Sequence, residues 1–196
     1  MTNRKVVGVV LAAGESRRLG QAKQLVVYQG QTLVARAVRS LFDASCTQVV
    51  TVLGAHQEQV RGALASLETS FVVNENWSRG MGSSIATACE QLGLDVDAVL
   101  ISLCDQPLVP PSHFRELIKA ISSNTVSIAA TEYQNGSCGV PAIFERIHFE
   151  SLRRLDGDRG AKELIQNVDH FTVPLPSEQE FDVDTQTDLN QLRSAH

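Results

Sequence analysis

The hydrophobic residues of this chain fall into short unbroken runs separated by segments with helical spacing. The runs Val6–Leu11, Gln48–Gly54 and Ala98–Leu103 are largely apolar and rich in β-branched residues, as expected for strands covered on both faces of a parallel sheet. Between them, Thr32–Phe42 and Ser83–Leu92 place apolar residues three and four positions apart, which is typical of amphipathic helices. This alternation predicts a three-layer α/β/α sandwich with a mostly parallel, Rossmann-like sheet.

The rest of the chain continues the same alternation. We predict further strands at Phe71–Asn74, Val126–Thr131, Ala142–Phe144 and Phe171–Val173, and further helices at His56–Leu67, Pro110–Ile121, Glu145–Leu155, Ala161–Asn167 and from Thr187 onwards. No repeat, low-complexity tract or linker interrupts the pattern, so we expect residues 1–196 to form a single domain.

The composition argues against several functional classes. The net charge of −5 does not favour general binding to nucleic acid. No apolar run approaches a membrane span, and MTNRK leads straight into the first strand, so we expect a cytoplasmic protein without a signal peptide or membrane contact. The four cysteines form no C-x-x-C pair, which is typical of reduced thiols and makes a zinc site improbable. The histidines follow no ligand pattern and read as surface or capping residues; they include His56, His113, His148 and His170.

The turn after the first strand carries the strongest indication of chemistry. Its residues are mostly small, so backbone N–H groups there can approach a base, ribose or phosphate closely. We therefore expect nucleotide contacts at Leu11, Ala12, Ala13 and Gly14. The cations Arg17, Arg18 and Lys23 follow within one loop and suit a triphosphate, although solvated loop charges would give the same pattern. The spacing matches neither a Walker loop nor a G-x-G-x-x-G fingerprint.

The segment LAAGESRRLGQAKQL closely resembles the signature of nucleotidyltransferases that activate sugars and cofactors, L-x-x-G-x-[GS]-x-R-[LM]-x-x-x-K. Its LAAG-x-S-R-R-[LM]-G-x-x-K form is similar to the branch that acts on molybdopterin, the molybdopterin nucleotidyltransferase family. The resemblance implies that an acceptor phosphate attacks the α-phosphorus of a nucleoside triphosphate and releases pyrophosphate. It also implies catalytic roles for Lys23, Arg18 and Asp105.

Asp105 is the first charged residue after the fourth strand, in ISLCDQP. Ligands of parallel α/β sheets bind at the carboxyl ends of strands, and Mg²⁺ takes one or two carboxylates together with substrate phosphates. The stretch CDQPLV resembles the family's acidic-P motif, which implies that Asp105 holds the catalytic metal. By position alone, Asp105 could instead cap the helix that follows Pro110.

A second metal ligand is expected in FDVDTQTDL near the C-terminus. Period-2 alternation places Asp182 and Asp184 on the same side of a strand. The stretch is similar to the family's D-[IV]-D-T-P-E-D-L, with Gln186 where proline is usual. Asp184 is our first choice for Mg²⁺ or Mn²⁺, with Asp182 in reserve, while an N-cap role for Asp184 or Thr185 stays open.

The loop NENWSRGMGSSI resembles the family's N-x-x-W-x-x-G-M-x-x-S-[LI] segment. That resemblance implies that Gly80 and Ser84 contact the base and ribose. Serines at a helix start are more often plain caps, and we interpret Ser83 in this way. For Trp77 we expect packing against the sheet edge rather than stacking on a base.

Two later stretches resemble elements on the acceptor side of the family's pocket. NGSCGVPAIF matches G-x-P-[AV]-x-[FL], and LDGDRGAKELI matches G-D-x-G-A-[RK]. The resemblance implies acceptor contacts at Gly139, Pro141, Arg159 and Asp182. Val140 stands where many cytidylyltransferases of this branch carry histidine. For the stretch around Arg159, a simple turn without a role in binding is the alternative to an acceptor contact.

The resemblance also bears on the substrates. The family's guanylyltransferases usually read L-A-G-G, whereas Ala13 adds a methyl group that narrows the pocket and implies CTP. The implied acceptor is molybdopterin carrying molybdenum, and the implied recipient of the product is a molybdenum hydroxylase or its chaperone. GTP, another phosphorylated acceptor, and a non-catalytic cofactor-delivery protein stay open as alternatives.

Overall fold

The computed structural model describes residues 4–123, 125–158 and 160–194. The strands are β1 (Val6–Leu11), β2 (Val27–Tyr28), β3 (Gln31–Thr32), β4 (Gln48–Leu53), β5 (Ser70–Val73), β6 (Ala98–Leu103), β7 (Ile128–Glu132), β8 (Cys138–Glu145) and β9 (Phe171–Pro174). The α-helices are α1 (Leu33–Asp43), α2 (Gln57–Ala63), α3 (Met81–Glu90), α4 (Pro111–Ser123), α5 (Phe149–Arg153), α6 (Lys162–Asn167) and α7 (Gln186–Ser194). Short 3₁₀ turns span Lys23–Leu25, Trp77–Arg79 and Arg146–His148.

Within the described residues, the central sheet has seven strands in the order β5-β4-β1-β6-β8-β7-β9. The pairs β4–β5, β1–β4, β1–β6 and β7–β9 are parallel, and β8 runs antiparallel to β6 and β7. Leu11 at the end of β1 is in register with Leu103 at the end of β6. The chain segments that follow these two strands therefore leave the sheet side by side. The mostly parallel α/β fold is confirmed.

Helices cover both faces of the sheet, which produces two separate hydrophobic layers. On one face, α1, α2 and α4 contribute buried residues such as Leu41, Val60 and Leu117. On the other face, α3, α5 and α6 contribute residues such as Ile85 and Ile165. Within the part of the chain that is described, no helix is long and apolar enough to span a bilayer.

The structure departs from the sequence predictions mainly at short or irregular elements. The hairpin β2–β3 was not predicted; Gln29 and Gly30 have φ values of 48° and 77°, as expected for a tight type I′ connection. The strand β8 begins at Cys138 rather than at Ala142, since it continues past a bulge in its pairing with β7. The predicted strand in FDVDT is wrong: Phe181–Asp184 lies outside the strands of both sheets.

The interpretation of His113 and His148 as surface or capping residues is also wrong. Both are buried, at 5% and 9% exposure. His113 Nε2 lies 2.8 Å from Thr131 Oγ1, and the Thr131 hydroxyl donates to the Pro141 carbonyl at 2.7 Å. Nε2–H is therefore the donor to Thr131. Burial lowers the pKa of His113 from 6.5 to about 4, because the charged imidazolium would lose its hydration.

Because His113 is buried in its neutral form, we expect the folded protein to lose stability in mild acid. The unfolded chain protonates His113 as the pH falls below 6.5, whereas the folded chain resists protonation down to about 4. Between about pH 7 and about pH 5, His113 should lower the free energy of unfolding by about 2 kcal/mol. Urea denaturation at both pH values, compared with His113→Gln, measures this contribution. An equal pH dependence in the two proteins would contradict it.

Candidate functional site

A cleft of about 490 Å³ opens at the carboxyl ends of β1 and β6. It brings together the residues that the sequence predicted for catalysis, metal binding or nucleotide contact, except Asp182, the reserve metal ligand, which lines an adjoining pocket. These residues are Leu11, Ala12, Ala13, Gly14, Arg18, Lys23, Gly80, Ser84, Asp105 and Asp184. They come from four separate segments of the chain, so the fold is what makes them neighbours.

A lysine bridging two carboxylates lies in this cleft. Lys23 Nζ is 2.5 Å from Asp105 Oδ2 and 3.0 Å from Asp184 Oδ1. Arg18 donates to the other oxygen of Asp184 at 2.9 Å from a mostly exposed position. The side chains of Lys23 and Asp105 are only 17% and 16% exposed. A half-buried cluster of this kind supplies both cationic and anionic groups to a ligand.

Backbone pairing and a helix cap hold Asp184 in this cluster. Val183 N–H donates to the Asp105 carbonyl at 2.9 Å, which ties the C-terminal segment to the end of β6. Thr185 and Asp188 form a reciprocal capping box at the start of α7, with Asp188 accepting from Thr185 N–H at 2.7 Å and donating its own N–H to Thr185 Oγ1 at 3.2 Å. Thr185 is thus the cap, and the Asp184 carboxylate is left to pair with cations.

Sequence reasoning missed the residue that fixes the shape of the basic loop. Gln24 is fully buried, and its Nε2 donates to the carbonyls of Ala12 at 2.9 Å and Gly14 at 2.7 Å. Lys23 N–H in turn donates to Ser16 Oγ at 3.1 Å. These bonds connect the two ends of the loop. A long polar residue directly after the motif lysine was the available signal, but its burial could not be deduced from the sequence.

Ser84 is likewise positioned by a residue that the sequence analysis did not single out. Asn74 is buried at the end of β5, and its Nδ2 donates to Ser83 Oγ at 2.9 Å and to Ser84 Oγ at 3.0 Å. Ser83 Oγ also donates to the Gly80 carbonyl at 2.9 Å, in keeping with a structural role at the start of α3. Trp77 packs against the hydrophobic layer around Ile85 and also lines the cleft.

Two glycines of the cleft have different physical reasons for being glycine. At Gly14 an added Cβ would meet nothing within 4 Å among the described residues, so the backbone faces open space where a ligand could approach. At Gly80, φ is +111° and a Cβ would lie 2.6 Å from the Gly157 carbonyl carbon and 2.4 Å from Asp158 Oδ1. Gly80 is therefore required by protein packing, a reason that sequence reasoning did not give.

A second pocket of about 330 Å³ adjoins the cleft and shares Met81, Leu103 and Asp158 with it. Of the residues predicted for acceptor binding, Gly139 and Asp182 line it. Pro141 is buried inside β8. Arg159 lies outside the described residues.

The second pocket also contains Tyr133 and Gln106, which sequence reasoning did not identify. Gln106 Nε2 donates to Tyr133 Oη at 3.0 Å, and that hydroxyl donates to the Val140 carbonyl. Burial raises the pKa of Tyr133 to about 12, so the hydroxyl stays protonated at neutral pH. Desolvation of the Asp182 carboxyl group, followed by repulsion from Asp105, raises the pKa of Asp182.

Comparison with known proteins identifies the family. A family model described as the MobA-like NTP transferase domain matches residues 8–172. The chain belongs to this family. A nicotine blue oxidoreductase from Paenarthrobacter nicotinovorans is 37% identical over 145 residues, 73% of this chain and 68% of that protein. A probable molybdenum cofactor guanylyltransferase from Bacillus cytotoxicus is 23% identical over 181 residues, covering 92% and 88%.

Solved structures support the same fold for this MobA-like domain. Rv0371c from Mycobacterium tuberculosis superimposes with a TM-score of 0.86 at 32% identity, covering 98% of each chain. A complex of Rv0371c with manganese gives a TM-score of 0.81 at 29% identity, covering 98% of this chain and all of that one.

The carboxylates of the MobA-like cleft fit a divalent cation bound together with phosphates. Among the described residues, no group of three or more His, Cys, Asp or Glu side chains could enclose a metal by itself. Asp105 Oδ1 is buried and has no hydrogen-bond partner among the described residues. An unpaired buried carboxylate oxygen beside a second carboxylate suits Mg²⁺ or Mn²⁺, which needs few protein oxygens when a substrate supplies the rest.

The charges around Lys23 keep it protonated. Burial acts to lower the pKa of Lys23, but attraction to Asp105 and the hydrogen bonds to Asp105 and Asp184 outweigh burial and raise that pKa above its ordinary value. The neighbouring Cys104 is inert as a nucleophile at neutral pH, because burial raises the pKa of its thiol to about 12. The cleft therefore contains a permanently charged Lys23, and Cys104 beside it is not an activated thiol.

Substitution by alanine should destabilise the protein at Gly80 but have little effect at Gly14. Gly80→Ala places a side chain in a backbone region that only glycine adopts readily and against the Gly157 backbone, and should lower the free energy of unfolding by at least about 1–3 kcal/mol. Gly14→Ala should change it by less than about 0.5 kcal/mol. Chemical denaturation of both variants tests this contrast. Equal stabilities would mean that the 156–158 turn does not pack on Gly80.

Proposed function

We propose that this protein transfers CMP from CTP to the terminal phosphate of molybdenum-carrying molybdopterin, releasing pyrophosphate and forming the cytosine dinucleotide cofactor. The observation that carries the proposal is the ion-paired cluster of Lys23, Asp105 and Asp184, which lines one cleft with the motif turn at residues 11–14. This cluster combines a phosphate-binding cation with two carboxylates suited to a metal.

In this proposal Asp105 and Asp184 hold Mg²⁺ or Mn²⁺, with Asp182 in reserve as the second ligand. The bound metal would supply charge neutralisation for the reacting phosphates. The residues of the chain supply the rest by positioning, which accounts for most of the catalysis in phosphoryl-type transfer.

The cations and the backbone of the β1 turn bind and orient the triphosphate. Lys23 and Arg18 stabilise the negative charge that grows on the α-phosphate and the leaving pyrophosphate. The turn from Leu11 to Gly14 contacts the nucleotide, with the N–H groups of Ala13 and Gly14 as donors, because the N–H of Ala12 already donates to the Val52 carbonyl at 3.0 Å. Gly80 and Ser84 line the same cleft. A general base is not needed, because a phosphate monoester is already anionic near neutral pH.

Our preference for CTP over GTP comes from the alanine at position 13 of the β1 turn, where the family's guanylyltransferases usually have glycine. Ala13 is 4% exposed, and its carbonyl accepts the N–H of Ala55 at 3.0 Å, so the turn is held against the start of α2. The Ala13 methyl group packs in the buried layer around Ile85 and towards Gly54, so the preference for CTP rests on the LAAG form of the motif and not on a side chain that faces the cleft. GTP stays the runner-up, and the guanylyltransferase relative is consistent with it.

The second pocket is where we place the body of the acceptor. It adjoins the metal-binding carboxylates through Leu103 and Met81, so an acceptor there can direct a phosphate towards Asp105. Gly139 and Asp182 line this pocket, and we propose that they contact the acceptor together with Arg159, whereas Pro141 is buried in β8. The product would then pass to a molybdenum hydroxylase or its chaperone.

The nicotine blue oxidoreductase relative motivates a second candidate, a redox enzyme built on the same fold. Reduction of nicotine blue by a reduced nicotinamide cofactor, followed by absorbance, tests it directly. A non-catalytic cofactor-delivery protein is the third possibility. It would bind CTP with the expected preference and yet release no pyrophosphate.

The decisive assay is pyrophosphate release from each of the four nucleoside triphosphates in the presence of Mg²⁺ and the molybdenum-loaded acceptor. We expect turnover with CTP, and loss of turnover when the metal is removed by a chelator. Pyrophosphate release with GTP alone would mean that the protein is a guanylyltransferase and not a cytidylyltransferase. Absence of release with all four would reject the transferase.

Asp105→Asn should reduce turnover by at least about 10²–10³-fold, because an amide cannot provide the anionic ligand that the proposed metal needs. The thermal unfolding midpoint should change little, since the shape is retained and Lys23 keeps its bond to Asp184 at 3.0 Å. Asp169→Asn makes the same change at an exposed position and should behave as wild type. Wild-type turnover in Asp105→Asn would remove Asp105 from the mechanism.

A further inference from the structure

The ammonium group of Lys23 lies where a cation shared by the two carboxylates would lie. It contacts one oxygen of each, at 2.5 Å for Asp105 and 3.0 Å for Asp184. For a Mg²⁺ ion held by both side chains, Asp105 Oδ1 has no hydrogen-bond partner among the described residues, but Asp184 Oδ1 is already taken by Lys23. Arg18 already occupies the other oxygen of Asp184 at 2.9 Å. An ion bridging the two side chains therefore has to displace an existing partner.

We propose that Lys23 is a built-in counter-ion that blocks the metal position of the free protein and leaves it when a triphosphate binds. This inference rests on the proposed function. An ammonium group and a divalent cation repel each other strongly at such short range, so both cannot share the two carboxylates. The phosphates of the nucleotide offer Lys23 and Arg18 new anionic partners. Nucleotide binding thereby frees Asp105 and Asp184, and metal and nucleotide bind cooperatively, each strengthening the other.

The surrounding structure allows the lysine to move while the carboxylates stay. Asp184 is held by the capping box at the start of α7 and by the backbone bond from Val183 to Asp105. The backbone N–H of Lys23 is held by Ser16, but the lysine side chain is a flexible four-carbon stem with the charged ammonium group at its end. A change of side-chain rotamer therefore moves the ammonium group without rearranging the sheet.

The inference is tested by titrating the protein with Mn²⁺ alone and following bound ion by electron paramagnetic resonance. Without nucleotide, Lys23→Met should bind Mn²⁺ on the order of tenfold more tightly than wild type, because its side chain no longer competes. Lys23→Arg keeps the charge and should bind Mn²⁺ as weakly as wild type. Lys162→Met removes one positive charge from the adjoining second pocket and controls for the general change in potential.

Equal Mn²⁺ affinities of wild type and Lys23→Met would overturn the inference, as would an equal gain in Lys162→Met. If Lys23→Met does not fold, the lysine ammonium spectrum of wild type provides the test. The Lys23 signal, identified by its loss in Lys23→Arg, should persist with Mg²⁺ alone and shift when CTP is added with it. A signal that does not respond to CTP and Mg²⁺ together would contradict the displacement.

These measurements are independent of the proposed reaction. Turnover of CTP in wild type, combined with no effect of Lys23→Met on Mn²⁺ binding, would remove the counter-ion role and leave the transferase intact. The opposite result, displacement of Lys23 without turnover of any triphosphate, would reject the transferase and keep the counter-ion.

Discussion

The bridging ion pair between Lys23 and the carboxylates of Asp105 and Asp184 is the interaction on which the candidate site depends. Partly buried charges are costly to desolvate, and such pairs contribute little net stability compared with apolar packing. Their presence at the end of the sheet is therefore better explained by function than by folding. Stability comes instead from the two hydrophobic layers on either side of the sheet, which hold the ends of β1 and β6 in register.

Much of this arrangement could be predicted from sequence because it follows from a few strong regularities. Unbroken β-branched runs indicated β1, β4 and β6, and parallel strands bring their carboxyl ends to one edge. Placing Lys23 and Asp105 after two of those strands was enough to expect them in one cleft, and the structure brings them into contact. The residues that hold the basic loop and Ser84 in place were not predictable in this way. Gln24 and Asn74 act through burial and long-range hydrogen bonds, which no local pattern reveals.

The wrong predictions have related physical causes. The alternation in Phe181–Asp184 correctly separates a buried Val183 from the carboxylates, yet alternation does not require a strand partner, and one backbone bond to Asp105 is enough to hold the segment. His113 was misread because a lone histidine in a helix pattern gives no sign of a threonine on a distant strand. For Gly80, the nucleotide contact stays a prediction, while the need for glycine at this position comes from the 156–158 turn packed against it.

The cleft and the second pocket differ in how strongly the fold determines their lining residues. The cleft is built from the ends of sheet strands, whose register fixes the positions of the residues that line it. The second pocket is built largely from the β7–β8 connection, from residues 158 and 161–162, and from the segment before α7, which can vary without disturbing the sheet. Relatives with names as different as an oxidoreductase and a guanylyltransferase can therefore share one framework. In the proposed reaction the side chains of the second pocket are therefore what we expect to select the acceptor, since neither the fold nor the ion-paired cluster restricts it.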